Sequence, residues 1–230
     1  MHRTIPWMLL TEQQKVSVPD PRPSLLVACI GTAFMPGVQE AAVKCAEVYS
    51  EMMGPCHVAG QPNITVLPPL GLGAMHNFLI MKACEAKFDY LLFLHNDVLM
   101  EDPGTLVKLV QRGKPMLTPY FDQTGILGVD VNGPHKIAEP MFSKDQGVLQ
   151  IKWIIPACLL FNTMVFAVAG ERPYSSALIY SEDEYDCLWF TRHGITIWQD
   201  TDLKVKLLRG PGLLADTLKE RRVLRPGESP

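Results

Sequence analysis

Two groups of residues in this chain have the types and spacing to do chemistry. The first is His95-Asn96-Asp97, which follows directly on the apolar run Tyr90-Leu-Leu-Phe-Leu94. A hard divalent cation needs oxygen ligands and keeps positions open for phosphate oxygens. Asp97 supplies a carboxylate. Asn96 offers a carbonyl oxygen or a contact to a ribose. His95 is an intermediate ligand that Mn2+ tolerates better than Mg2+. Asn-Asp is also ordinary turn chemistry, so the triplet alone fits a plain strand end as well. The second group is Ser181-Glu182-Asp183. A carboxylate there, in the first turn of a helix, can take the proton from a hydroxyl that attacks an electrophilic carbon. Ser181 with Glu184 three residues later also forms a capping box, and a helix N-terminus favours acidic residues in any case.

The elements that must position these groups alternate along the chain. The run Ser24–Ile30 reads as a buried strand ending at Gly31-Thr32. From Pro36 to about Met53 a helix is expected, with Val38, Ala42, Cys45, Ala46 and Tyr49 at helical spacing. The spacing predicts a strand at Asn63–Leu67, a helix from Gly71 to Lys87, and a strand at Asp89–Leu94. A helix follows over Pro103–Arg112, then a strand at Pro115–Tyr120. Residues 121–150 read as irregular or hairpin-like. Next come a strand at Ile151–Ile155 and a short helix at Thr163–Ala169. A further helix buries Tyr185, Leu188 and Trp189 and stops at Gly194. Ile195–Trp198 and Leu203–Leu208 complete the set as two short strands. This alternation predicts an α/β fold, a mostly parallel mixed sheet flanked by helices. In such sheets ligands bind outside the carboxyl ends of the strands, which is where the triplet stands.

Composition narrows the classes. At 230 residues the chain suits one domain, and 47% hydrophobic residues can form a core. A net charge of −3 gives no general reason to expect a polyanionic partner. Residues 1–23 read as a leader, 24–210 as the domain, and 211–230 as a basic tail with Lys219, Arg221, Arg222 and Arg225. None of the six cysteines lies in a Cys-X-X-Cys pair, so they read as reduced thiols of a cytoplasmic protein rather than zinc ligands. His2, His57, His135 and His193 lack zinc-site spacing. Residues 153–170 are uncharged but interrupted by Pro156 and Asn162-Thr163, which favours strand, turn and short helix over a membrane span. Gly71-Leu-Gly-Ala lacks the third glycine of a dinucleotide fingerprint.

Taken in order, residues 24–208 resemble the GT-A glycosyltransferases, especially the large inverting second family. Those proteins carry an Asp-X-Asp triplet at a strand end, and later a Glu-Asp pair that opens a helix. Here His95-Asn96-Asp97 and Glu182-Asp183 stand in the same order. The stretch Pro156-Ala-Cys-Leu-Leu-Phe-Asn-Thr-Met-Val-Phe resembles the family's small-residue strand and helix on the acceptor side. The resemblance implies a GT-A fold, with a nucleotide-sugar-binding half over 24–120 and an acceptor half over 121–210. It implies transfer of a sugar from a UDP- or GDP-sugar to an acceptor hydroxyl with inversion. Asp183 would be the base and Glu182 a supporting carboxylate. Gly31, Thr32, His76, Asn77, Asn96 and Asp97 would bind the donor. Asp97 and His95 would hold Mn2+ or Mg2+, and Trp153 and Ala157 would face the acceptor. Short, soluble, single-domain members of this kind, including ones from bacteriophages and bacteria, act on glycans, cell-wall polymers or modified DNA bases.

The chain departs from the family pattern at three places. His95 stands where the triplet's first Asp is usual. Met75-His76-Asn77 stands where Ala-Arg-Asn often opens the second helix. No His follows the last strand, where Leu203-Lys-Val-Lys-Leu-Leu-Arg209 is found. Lys204, Lys206 or Arg209 can neutralise a leaving diphosphate in place of a metal. Two rival readings follow: a catalytically degenerate domain serving as a binding module and, third, a nucleotidyltransferase.

Overall fold

The structure, a computed structural model, describes residues 22–30, 35, 37–60, 72–121, 146–151, 157–169 and 190–208. Eight strands form one sheet: β1 (Leu25–Ile30), β2 (Cys56–Gly60), β3 (Tyr90–His95), β4 (Val98–Leu99), β5 (Met116–Phe121), β6 (Val148–Ile151), β7 (Cys158–Asn162) and β8 (Ile197–Leu207). Among the described residues four whole helices flank it: α1 (Val38–Met52), α2 (Leu72–Glu85), α3 (Thr105–Gln111) and α4 (Met164–Ala169). The strand order is β2-β1-β3-β7-β5-β8-β4, with β6 also paired to β8. Strands β1, β2, β3, β5 and β8 run one way, and β7, β6 and β4 run against them. The result is the expected α/β fold with a mixed, mostly parallel sheet.

Alternation of side chains along the strands divides the core into two layers. Leu25, Val27, Cys29, Leu92, Leu94 and Leu160 face α1 and α3, whose contributions include Ala42, Cys45, Tyr49, Leu106 and Val110. Leu26, Ala28, Leu91, Phe93, Leu159 and Phe161 face α2 and α4, with Met75, Leu79, Ala83 and Phe166. The helical spacing read in α1 is borne out, since Val38, Ala42, Cys45, Ala46 and Tyr49 are its buried residues.

Four expectations are corrected or refined. The strand beside β1 is Cys56–Gly60, which pairs in parallel from Leu25↔Cys56 to Cys29↔Gly60. It follows α1 after only a short connection, and its Cys-His-Val-Ala-Gly sequence has little β-propensity of its own. Pairing decides it. Asn63–Leu67 lies outside the described residues. The strand expected from Ile151 begins at Val148, and its later part, 152–155, is also outside them. Residues 158–162 form β7, inserted antiparallel between β3 and β5. The two short strands expected at the end are one strand of 11 residues, β8.

The helix expected to stop at Gly194 does so. Gly194 has φ 71°, its N–H bonds to Thr191 O at 3.1 Å, and Ile195 N–H bonds to Phe190 O at 2.9 Å. That pair of bonds with glycine in the left-handed conformation is a Schellman C-cap.

The approach to β1 crosses the end of α1. Tyr49 Oη donates to Pro23 O at 3.0 Å, and Gly54 lies under Pro23 and Arg22. A Cβ at Gly54 would meet the Pro23 carbonyl oxygen and lie 2.9 Å from Arg22 Cβ. The change Gly54→Ala is therefore expected to cost about 1–3 kcal/mol through overpacking, read as a lower urea midpoint at unchanged slope.

Candidate functional site

The triplet sits at the carboxyl edge of the sheet because β3 ends there, between β1 and β7. Its backbone is tied on every side. His95 N–H bonds to Ala157 O at 2.8 Å and Asn96 N–H to Ile30 O at 2.8 Å. Asn96 O accepts from Met35 N–H at 2.9 Å, and Asp97 O accepts from Leu208 N–H at 2.7 Å. Thus the ends of β1, β3, β7 and β8 meet at three consecutive residues. Asn96 and Asp97 are each only 9% exposed. A polar turn this well fixed is suited to present a carboxylate at a set position.

Below it lies a ring stack on the α2 side of the sheet. His76 is 1% exposed, with its ring 4.5 Å from that of Phe93 and tilted by 20°. The His95 ring is 6.1 Å from His76. Burial, and then the neighbouring His95, push the His76 pKa well below its ordinary 6.5. His76 is therefore neutral at pH 7, a support beneath His95 rather than a cation. Asn77, half-buried, is its neighbour on α2.

This burial has a consequence for stability. Between the lowered folded pKa and 6.5 the unfolded chain binds a proton at His76 that the folded chain does not. The contribution is fully present above about pH 6.5 and is lost as pH falls from there. The change His76→Phe is expected to flatten that part of the curve, measured as the difference in urea midpoint between pH 7.5 and pH 5.5 for variant and wild type.

Ala157, 6% exposed, abuts His95 through its carbonyl. Lys206 lies on β8 opposite Leu99, with Nζ 3.8 Å from Glu101 Oε1, an exposed rim pair of small energy. Lys204 lies opposite Tyr120. A cleft of about 360 Å3 opens between the start of α1 and residues 99–103, lined by Glu40, Lys44, Leu99, Met100 and Glu101 among others. It begins two residues beyond Asp97. Gly31, Thr32, Trp153, Glu182, Asp183 and Arg209 lie outside the described residues.

For a divalent cation, the chemistry of the donor set can be tested. Among the described residues no three His, Cys, Asp or Glu side chains converge. Asp97 and His95 supply one carboxylate and one imidazole. That set fits Mg2+ or Mn2+ only in the mode where one or two protein ligands are completed by substrate phosphates and water.

The thiols have a different character. Burial pushes Cys29 and Cys45 up to about 12, and Cys56 and Cys158 higher still. They are inert core groups, neither nucleophiles nor metal ligands. The described helices include none long and apolar enough to cross a membrane.

Sequence reasoning missed one functional-looking feature, the buried Asp200. Its signal was the polar break Gln199-Asp-Thr-Asp202 between two alternating runs, read as the gap between two strands.

No family model matches the chain, and no curated protein matches it in sequence. Solved structures do match in fold. Glucosyl-3-phosphoglycerate synthase from Mycobacterium tuberculosis, in complex with Mn2+, UDP-glucose and phosphoglyceric acid, superposes with a TM-score of 0.54 at 11% identity. The match covers 97% of this chain and 83% of that one. The same enzyme with Mg2+ and UDP gives 0.51 at 12% identity over the same shares. A197 from STIV gives 0.47 at 9% identity, over 80% of this chain and 84% of that one. The likeness to the synthase shows the fold: GT-A-like, as the sequence resemblance implies.

Proposed function

We propose that this chain is a glycosyltransferase that moves a sugar from a nucleotide-sugar donor to an acceptor hydroxyl with inversion. The observation that carries the reading is the clamped Asn96-Asp97 turn at the carboxyl edge of a GT-A-like sheet. In this reading the donor diphosphate lies at Asp97, with Gly31 and Thr32 beside the nucleotide and Asn96 toward the ribose. Asn77 reaches a phosphate, and His76 holds the His95 ring from beneath. Asp97 and His95 would hold Mn2+ or Mg2+, which when bound offsets charge on the diphosphate. Lys206 and Arg209 add fixed positive charge to the same end.

The Asp183 carboxylate takes the proton of the acceptor hydroxyl as its oxygen bonds to the anomeric carbon. The bond from that carbon to the diphosphate oxygen breaks, and the nucleoside diphosphate leaves with the electron pair. A single displacement of this kind inverts the anomeric centre. Glu182 supports Asp183, and Trp153 and Ala157 border the acceptor, a glycan, cell-wall polymer or modified DNA base. That the neighbour in fold was solved with UDP, UDP-glucose and divalent metals supports a nucleotide-sugar donor and a metal partner.

The test is thermal unfolding with UDP, GDP, CDP and TDP, each with Mn2+ and with EDTA. A ligand that binds only the folded chain adds about 2.7 kcal/mol at a hundred times its Kd. One nucleotide is expected to raise the midpoint, more with Mn2+ than with EDTA. Equal stabilisation in EDTA assigns the diphosphate to the lysines and arginine instead. No response to any of the four overturns the donor site and favours a binding module on this fold. If a donor is found, the anomeric configuration of the product, read by NMR, decides the inversion.

A further inference from the structure

Strand β8 changes phase in its middle. Pro119 pairs with Asp200, but the next residue, Tyr120, pairs with Lys204. Three residues, 201–203, are inserted. Ahead of the insertion Ile197 faces the α2 side, and Trp198 packs against the α1 side. An unbroken strand would keep its even-numbered residues on the α1 side. Lys204 and Lys206 would then point into that apolar layer. The actual strand does the reverse: Leu203, Val205 and Leu207 are buried in the α1 layer, and the two lysines alternate with them. An odd insertion flips every later side chain to the other face. By register, Lys204 is level with Tyr120 and shares the side of the sheet on which His95 stacks over His76.

A compact polar knot holds the insertion. Asp200 is fully buried, and its Oδ2 accepts from Arg112 Nε at 2.7 Å. Its Oδ1 accepts the N–H groups of Asp202 at 3.0 Å and Leu203 at 3.3 Å, both within or beside the inserted turn. Arg112 Nη2 lies 3.6 Å from Asp202 Oδ2. Thr201 donates to Gly147 O through its N–H at 2.9 Å and its hydroxyl at 2.8 Å. Past the knot the strand runs on to Leu207, and the N–H of Leu208 holds Asp97 O.

We infer that Arg112 and Asp200 are positioning residues for an anion-binding end of β8. By fixing the insertion they set the side-chain phase that brings Lys204 to the His95 face, where it meets a diphosphate. The inference rests on the donor-site reading above and deepens it, taking Lys204 from the three cations of this stretch as a diphosphate contact and adding the ion pair as what aims it.

The experiment is calorimetric titration of the full chain with UDP, GDP and inorganic pyrophosphate. It compares wild type, Lys204→Gln, Arg112→Gln, Asp200→Asn and the double variant Arg112→Gln/Lys204→Gln. Circular dichroism and urea midpoints establish which variants are folded. Lys204→Gln is expected to weaken binding by about tenfold, about 1.4 kcal/mol. Arg112→Gln, which frees the phase of Lys206 as well, is expected to weaken it at least as much, and the double variant no more than Arg112→Gln alone, since a misaimed lysine has nothing left to lose. Asp200→Asn, which keeps an acceptor for the two N–H groups, serves if Arg112→Gln does not fold, and is expected to weaken binding to the same degree. A folded Arg112→Gln or Asp200→Asn with a lower urea midpoint and wild-type affinity overturns the inference and leaves the donor site standing. Additive losses in the double variant overturn it too. A wild-type chain that binds none of the three probes overturns the donor site, and the inference with it.

Discussion

Replacing Asp183 by Asn is expected to lower sugar transfer by about a hundred- to ten-thousand-fold while leaving nucleoside-diphosphate binding intact. The acceptor hydroxyl is a poor nucleophile until its proton has somewhere to go, and an amide cannot take it. The same change does little to the fold. In the helix expected from the sequence, Ser181 would remain as N-cap and Glu184 as its capping partner, so only a charge near the helix start would be lost, about 0.3–1 kcal/mol. Activity and stability thus separate, and a purely structural acidic pair predicts the opposite pattern: a small loss of stability with transfer unchanged. The check is transfer rate and UDP or GDP affinity measured on the same preparation. Glu182→Gln is the companion, expected to give a smaller fall because in the proposed reaction it would support the base without taking the proton. Full transfer by Asp183→Asn moves the base elsewhere.

Where local pattern and tertiary environment agree, the fold was legible. The strand β1, a run of six buried residues, reads from its apolar composition alone. Helix α1 reads from five residues at helical spacing, all of them buried. Strand β3 and the polar triplet at its end read from the abrupt change after Leu94, and this put Asp97 at the carboxyl edge. What was not legible depends on partners far along the chain. Strand β2 is made by pairing with Leu25–Cys29 rather than by its own Cys-His-Val-Ala-Gly. Strand β7 runs antiparallel between two parallel neighbours, which no alternation of strand and helix announces. The insertion in β8 is bonded to Arg112, 88 residues before Asp200, so the polar stretch 199–202 looked like a loop. Of the candidate site, the position of Asn96-Asp97 at the end of β3 was legible in the sequence, whereas the contact of His95 with Ala157 and the burial of His76 on Phe93 follow only from packing. Asp183, Glu182 and Trp153 lie outside the described residues, so the roles proposed for them rest on order along the chain.

The second large effect links the core to that site. Phe93→Ala is expected to cost about 3–5 kcal/mol, a large part of the roughly 5–15 kcal/mol that holds a domain folded. Phe93 is fully buried in the middle of β3, edge-on to Phe161 with ring centres 5.1 Å apart, and it carries the His76 ring on its face. Truncation removes the platform under both rings and opens a cavity that backbone tied by β1 and β7 cannot close. Phe93→Leu retains most of the apolar volume and is expected to cost under half as much. Urea unfolding of the two variants gives the ladder. Nucleotide affinity, measured well below the unfolding midpoint, then tells fold from site. Asn96 and Asp97 are held by main-chain bonds to Ile30, Met35 and Leu208 that do not involve the Phe93 side chain. Phe93→Leu should therefore bind UDP or GDP within about threefold of wild type, under 1 kcal/mol. A large loss of affinity in a well-folded Phe93→Leu means instead that the turn is held from below, by the stack of Phe93, His76 and His95, and that the main-chain clamp alone does not fix it.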